Sequence, residues 1–165
     1  MREAFKKFDL TGKTALVTGG ATGIGYHITR ALMSSGAKVM IAARREHVLQ
    51  EAAEQLKSQA PTAEILYHCV DLAARDSVRA LASHCDRSMG GVDIFVGNAG
   101  VDIFEHIGNI KDESIDQSFQ VNLSANLELM RAFLPRMRKA VSRAGIRYFG
   151  GTMSGFSTSI TIRWM

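Results

Sequence analysis

"TGGATGIG", residues 18–25, stands between an apolar run, TALVTG (14–19), and a segment whose apolar residues recur at helical spacing. In that setting Gly19 makes a tight turn, Gly23 lets the backbone approach a pyrophosphate, and Gly25 lets helix and strand pack closely. The helix that follows presents free N–H groups and a positive dipole end to bound phosphates. Glycines also serve ordinary turns; the preceding strand and following amphipathic helix make this loop a nucleotide-binding signal.

The same alternation continues outward. KVMIAA (38–43), EILYHCV (64–70) and VDIFVG (92–97) are further near-continuous apolar runs, as expected of parallel strands covered on both faces. Helical stripes lie between them: Ile24, Ile28, Ala31 and Leu32, ended by Gly36; Val48, Ala52 and Leu56; Val78, Leu81, Ala82 and Cys85. The longest stripe runs through Ile115, Phe119, Leu123, Leu127, Met130, Leu134, Met137 and Val141, with Pro135 expected to kink or break it. Right-handed crossovers place such helices on both faces of one doubly wound sheet, so we expect a three-layer α/β/α Rossmann-type fold of about five strands. With 165 residues and 46% hydrophobic content, the chain fits one domain, 1–165, with a sizeable core.

The net charge of +4 is compatible with anionic ligands and selects none. Its distribution is uneven: after Glu128 no acid appears, while Arg131, Arg136, Arg138, Lys139, Arg143, Arg147 and Arg163 follow. A solvated helix face accounts for that run, and no aromatic platform accompanies it as nucleic-acid binding would require. Cys69 and Cys85 are too far apart for a metal-type pair and fall in apolar or helical segments, so buried free thiols in a reducing compartment are expected. No metal site is readable. No run has the length of a membrane span and the first residues lack a signal-peptide core, which together imply a cytoplasmic protein.

The glycines are spaced GxxxGxG, and with the lead-in FDLTGKTALVTGG the chain resembles the short-chain dehydrogenase/reductase family, whose loop reads TGxxxGIG. The resemblance covers 8–155 and leaves 156–165 as an atypical tail. It implies cofactor contacts from Gly19, Thr22, Gly23, Ile24 and Gly25. At the end of the second strand, NAD-preferring members carry an acid for the adenosine ribose, where this chain has Arg44 and Arg45. Arginines attract a 2′-phosphate that an acid would repel, so NADP(H) is expected over NAD(H), against the plainer reading that both begin a solvated helix. Asp71, followed by Leu72, matches the family acid that accepts a hydrogen bond from the adenine amino group, although such an acid also serves as a cap. GNAG (97–100) is similar to the family's NNAG, giving Asn98, Ala99 and Gly100 as cofactor-site residues with Gly97 replacing the first Asn. In QVNL (120–123), Asn122 matches the asparagine that holds a water in the family's proton relay and locally distorts the helix.

The family's Tyr-x-x-x-Lys pair is not in the sequence: Tyr26 is followed four residues on by Arg30, Tyr67 by Asp71 and Tyr148 by Thr152. Matching GIRYFGGTMSG (145–155) to the family's fifth strand and SxxG turn puts Thr152 in the place of the serine. From Phe156 the match stops, which is the expectation of a chain truncated before its proton donor. The tail alternates weakly as a strand would, and serves either as a patch for an open sheet edge or as residues from a shifted reading frame.

The resemblance therefore implies an oxidoreductase moving a hydride between NADP(H) and a small alcohol or carbonyl compound, weakly active or inactive as this chain, with pairing of copies through the helix around 113–141. A non-catalytic dinucleotide-binding module and a basic interaction or nucleic-acid-binding protein are the alternatives.

Overall fold

In the computed structural model, the described residues are 9–140 together with the two-residue strand pieces 146–147, 150–151, 157–158 and 161–162. Strands β1 (Thr14–Thr18), β2 (Lys38–Ala43), β3 (Ile65–Cys69) and β4 (Ile94–Gly97) form one parallel sheet in the order β3-β2-β1-β4. Helices α1 (Gly23–Ser34), α2 (Glu46–Gln59) and α3 (Arg75–Met89) make the crossovers. Beyond β4 come α4 (Asp112–Phe119), a π-helical turn (Gln120–Ser124) and α5 (Ala125–Ala140). This is the expected Rossmann-type α/β arrangement.

The pleat divides the core in two. On one face Leu16, Met40 and Ala42 pack against Val78, Leu81 and Cys85 of α3 and Leu129, Phe133 and Met137 of α5. On the other, Ala15, Val17, Val39 and Ile41 pack against Met33 of α1 and Leu49, Ala52 and Leu56 of α2. Adjacent residues of β1 and β2 serve opposite layers, which is why both strands read as unbroken apolar runs. A fully buried leucine such as Leu16 or Leu81 contributes about 1.5–3 kcal/mol by leaving water.

Several expectations are corrected. In α1 the buried line is Gly25, Thr29 and Met33, while Ile24 is 67% exposed, because Gly25 brings that side of the helix against the loop. The long stripe divides at the π turn. Val121, Ala125, Leu129, Phe133 and Met137 form the buried line, and Phe119 and Leu127 stay exposed at 61% and 41%. A π turn holds more residues per turn, so the spacing on either side of it falls out of phase. Pro135 lies inside α5 without ending it. β3 is a sheet edge with little cover, and its Cys69 is exposed where burial was expected. Cys85 is buried, and burial pushes its thiol up to about 12, so it stays protonated.

Of the fifth strand expected within 145–155, only the pieces Ile146–Arg147 and Gly150–Gly151 are among the described residues, and these pair outside the four-stranded sheet. Ile146–Arg147 and Gly150–Gly151 pair antiparallel with Thr161–Ile162 and Ser157–Thr158 in one shared register. No helix among the described residues is long and apolar enough to cross a membrane.

At the end of the sheet opposite the glycine loop, Asp93 binds β1 to β4. Its Oδ2 accepts from the Thr14 N–H at 3.0 Å and lies 3.1 Å from the Thr14 hydroxyl, and Arg136 Nε stands 3.4 Å from Oδ1. Arg136 also donates to Gly90 O, so this member of the basic run has a structural partner. Burial pushes the Asp93 carboxyl up, but the Thr14 donors, Arg136 and Lys13 together hold it below the ordinary aspartate range. A depressed folded pKa gives stability that is complete above the unfolded value, about 3.9, and is lost as pH falls through the folded one. Urea titrations between pH 6 and pH 3 are therefore expected to show an acid loss of stability that Asp93→Asn reduces; an identical pH profile in the variant would refute this role.

Candidate functional site

The chain turns from β1 into α1 through Gly19–Thr22, and the turn is tied down from behind. Thr18 Oγ1 accepts the N–H groups of Asn98 and Ala99 at 3.1 and 3.2 Å, and Asn98 Nδ2 donates to Thr18 O and Gly19 O at 3.1 and 3.2 Å. The GNAG segment thus clasps the first βα turn. Buried Thr29 adds a second tie, its hydroxyl 2.9 Å from Gly25 O and 3.3 Å from Gly20 O. A Cβ on Gly25 would run into Gly19 O and Asn98 Nδ2, so only glycine fits there.

Gly23 has φ +54°, a left-handed conformation suited to glycine, and nothing lies within 4 Å of the place a Cβ would take. That side of the loop is open. Thr22 caps α1 without a side-chain hydrogen bond and the first turn carries no acid, which leaves the helix N-terminus electropositive.

The loop borders a cleft of about 320 Å³ above the carboxyl ends of the strands. Of the predicted residues, the structure brings Gly19, Thr22, Arg44, Arg45, Asp71, Leu72, Asn98, Ala99 and Gly100 together in its wall. Gly23, Ile24 and Gly25 lie beside it in the first turn of α1 rather than in the lining. Arg44 and Arg45 are exposed where β2 passes into α2, and Arg45 is the residue before that helix. Asp71 Oδ1 accepts the Ala73 N–H at 3.0 Å and the Asp71 N–H is bound by Ser77 Oγ at 3.0 Å, so the acid shapes its own turn while its other oxygen has no partner among the described residues.

Asn122 stands behind the cleft. Its Oδ1 accepts the Val101 N–H and its Nδ2 donates to Val101 O, both at 2.8 Å, with Ser118 Oγ at 3.0 Å from Nδ2. The side chain therefore fixes the segment after β4 against the helix. The π turn leaves carbonyls without regular helical donors, and buried Asn126 reaches back to Asn122 O at 3.0 Å and Val121 O at 3.4 Å. Thr152 lies outside the described residues.

The lining also includes Ala42, Ala43, Val70, Val101, Gln117 and Val121, which were not selected as site residues. Ala43, Val70 and Val101 adjoin predicted positions, and Ala42 lies one residue further into β2. Gln117 and Val121 lie one helical turn apart on a helix distant in sequence, and only their spacing ahead of Asn122 hinted at a shared face.

Residues 13–146 match the family model described as short chain dehydrogenase. The chain belongs to the short-chain dehydrogenase family. Among relatives, a short chain dehydrogenase of Pseudocercospora fijiensis is 37% identical over 142 residues, covering 83% of this chain and 44% of its own length. L-Sorbose reductase from Gluconobacter frateurii, solved with NADPH and L-sorbose, superposes with a TM-score of 0.75 at 34% identity, covering 80% of this chain and 51% of that one. A metagenomic short-chain oxidoreductase solved with NADP gives a TM-score of 0.74 at 36% identity, over 80% of this chain and 59% of the other. This short-chain dehydrogenase sequence thus spans about half the length of the relatives it matches.

Proposed function

We propose that this chain forms the NADP(H)-binding part of an oxidoreductase that moves a hydride between the dinucleotide and a small alcohol or carbonyl substrate. The observation that carries this reading is the meeting of Arg44, Arg45 and Asp71 with the glycine loop in one cleft. The open backbone at Gly23 and the acid-free start of α1 suit a pyrophosphate, and the two guanidinium groups suit a 2′-phosphate. Bound NADPH supplies the hydride. The chain's own residues hold and orient it: Asp71 takes a hydrogen bond from the adenine amino group, and Asn98 keeps the turn rigid. Asn122, through its two bonds to Val101, would hold the segment that follows β4 in place beside the bound dinucleotide. The solved relatives with NADPH or NADP in their structures favour the same cofactor.

The sequence contains no Tyr-x-x-x-Lys pair, which favours a second reading in which this chain binds the dinucleotide and turns over slowly or not at all. NADPH at a hundredfold excess over its Kd is expected to stabilise the protein by about 2.7 kcal/mol, raising Tm by about 5–10 °C. Absence of any shift at millimolar NADPH would reject both readings. Loss of NADPH absorbance with a panel of aldehydes and ketones, at ordinary enzyme rates, would reject the second alone.

A further inference from the structure

Gln117 is the one lining residue of the cleft contributed by α4, on the wall formed by the long helix. Its side chain is exposed, and among the described residues its amide has no hydrogen-bond partner. The neighbouring amides are engaged. Gln120 Nε2 donates to Leu72 O at 3.3 Å, and Asn122 clasps Val101. Val121, in the π turn that follows, lines the cleft as well.

The Gln120–Leu72 bond fixes how the wall carrying Gln117 sits against the turn carrying Asp71. That turn is held internally by the Ala73 and Ser77 contacts, so Asp71 and Gln117 line one cleft from two elements whose relative position is tied by the Gln120–Leu72 bond. A carboxylate only accepts hydrogen bonds, whereas a primary amide both accepts and donates. An adenine edge presents an amino donor beside a ring-nitrogen acceptor, the pattern that glutamine amides pair with in bidentate fashion.

We propose that Gln117 is a specificity-determining residue for the base of the bound dinucleotide. Its Oε1 accepts one hydrogen of the adenine 6-amino group and its Nε2 donates to the adjacent ring nitrogen, while Asp71 takes the other amino hydrogen. The inference rests on the dinucleotide reading above and deepens it.

A cycle of two changes tests it on the full chain. One change is Gln117→Leu, which keeps size and helix propensity on an exposed helix position. The other is removal of the 6-amino group from the ligand, with adenosine 2′,5′-bisphosphate and the corresponding purine riboside bisphosphate as probes in calorimetric titrations. Gln117→Leu is expected to weaken adenosine 2′,5′-bisphosphate and NADPH by about tenfold or more, and to weaken the amino-free probe much less. Non-multiplying losses mean that the side chain and the amino group interact directly. NADPH-to-NADH preference and the circular dichroism spectrum should not change. Equal weakening of both probes, or no weakening of either, would overturn the role of Gln117 while leaving the dinucleotide site in place. Failure of the unsubstituted protein to bind either probe or NADPH would overturn the dinucleotide reading, and this proposal with it.

Discussion

Gly25→Val is expected to abolish the proposed NADPH binding and to destabilise the domain by about 3 kcal/mol or more, at the upper end of the cost of overpacking a filled site. The size follows from what surrounds the position. The first atom added would meet Gly19 O and Asn98 Nδ2, one of them backbone and the other held by two hydrogen bonds. Neither can move alone. Displacing Asn98 releases the carbonyls of Thr18 and Gly19, and displacing Gly19 opens the turn that faces the cleft. Thr29, bound to Gly25 O from the next turn of α1, would follow the helix outward. Chemical denaturation and an NADPH titration measure the two effects. Wild-type affinity in a folded Gly25→Val protein would show that the loop tolerates this crowding and would sink the account of why glycine stands there.

The paired substitution Arg44→Ala with Arg45→Ala is expected to raise the Kd for NADPH by about a hundredfold and to leave that for NADH within about threefold, as loss of charge-assisted bonds to one phosphate requires. Both arginines are exposed at the start of α2, so stability should change by less than about 0.5 kcal/mol. Glu46 follows them in the first turn of α2, where the helix dipole favours an acid. Once the arginines are gone this acid and Asp71 are left uncompensated, which adds to the loss for the phosphorylated cofactor. The proposed preference for NADPH over NADH should also fall with added salt, because the two guanidinium groups are screened. Equal weakening of NADPH and NADH would mean that the arginines serve the dinucleotide as a whole and not its 2′-phosphate.

Much of this site was legible because each part of it is local. A strand, a glycine turn and a helix start occupy consecutive residues, and TGGATGIG reports all three. Arg44, Asp71 and Asn98 each sit just past an apolar run, so their arrival at one end of a parallel sheet follows from the strand direction alone. Ile24 and Phe119 were misplaced for the opposite reason. Which side of α1 turns inward depends on how closely Gly25 approaches the loop, and which side of the long helix turns inward depends on the phase shift at the π turn. The first depends on Asn98 arriving from the far side of the sheet as well as on Gly19, and the second on a change of backbone geometry at Gln120–Ser124 that apolar spacing does not report.

By itself, then, the sequence determined the alternating α/β order, the parallel sheet, the glycine loop at its carboxyl end and the family motifs gathered there, since backbone geometry and apolar periodicity act over a few residues. Only the tertiary structure decided that Asn98 locks the loop from behind, that Cys69 lies open on an edge strand, and that Gln117 and Val121 complete the cleft opposite Asp71. These depend on distances across the fold, which a periodic pattern does not encode.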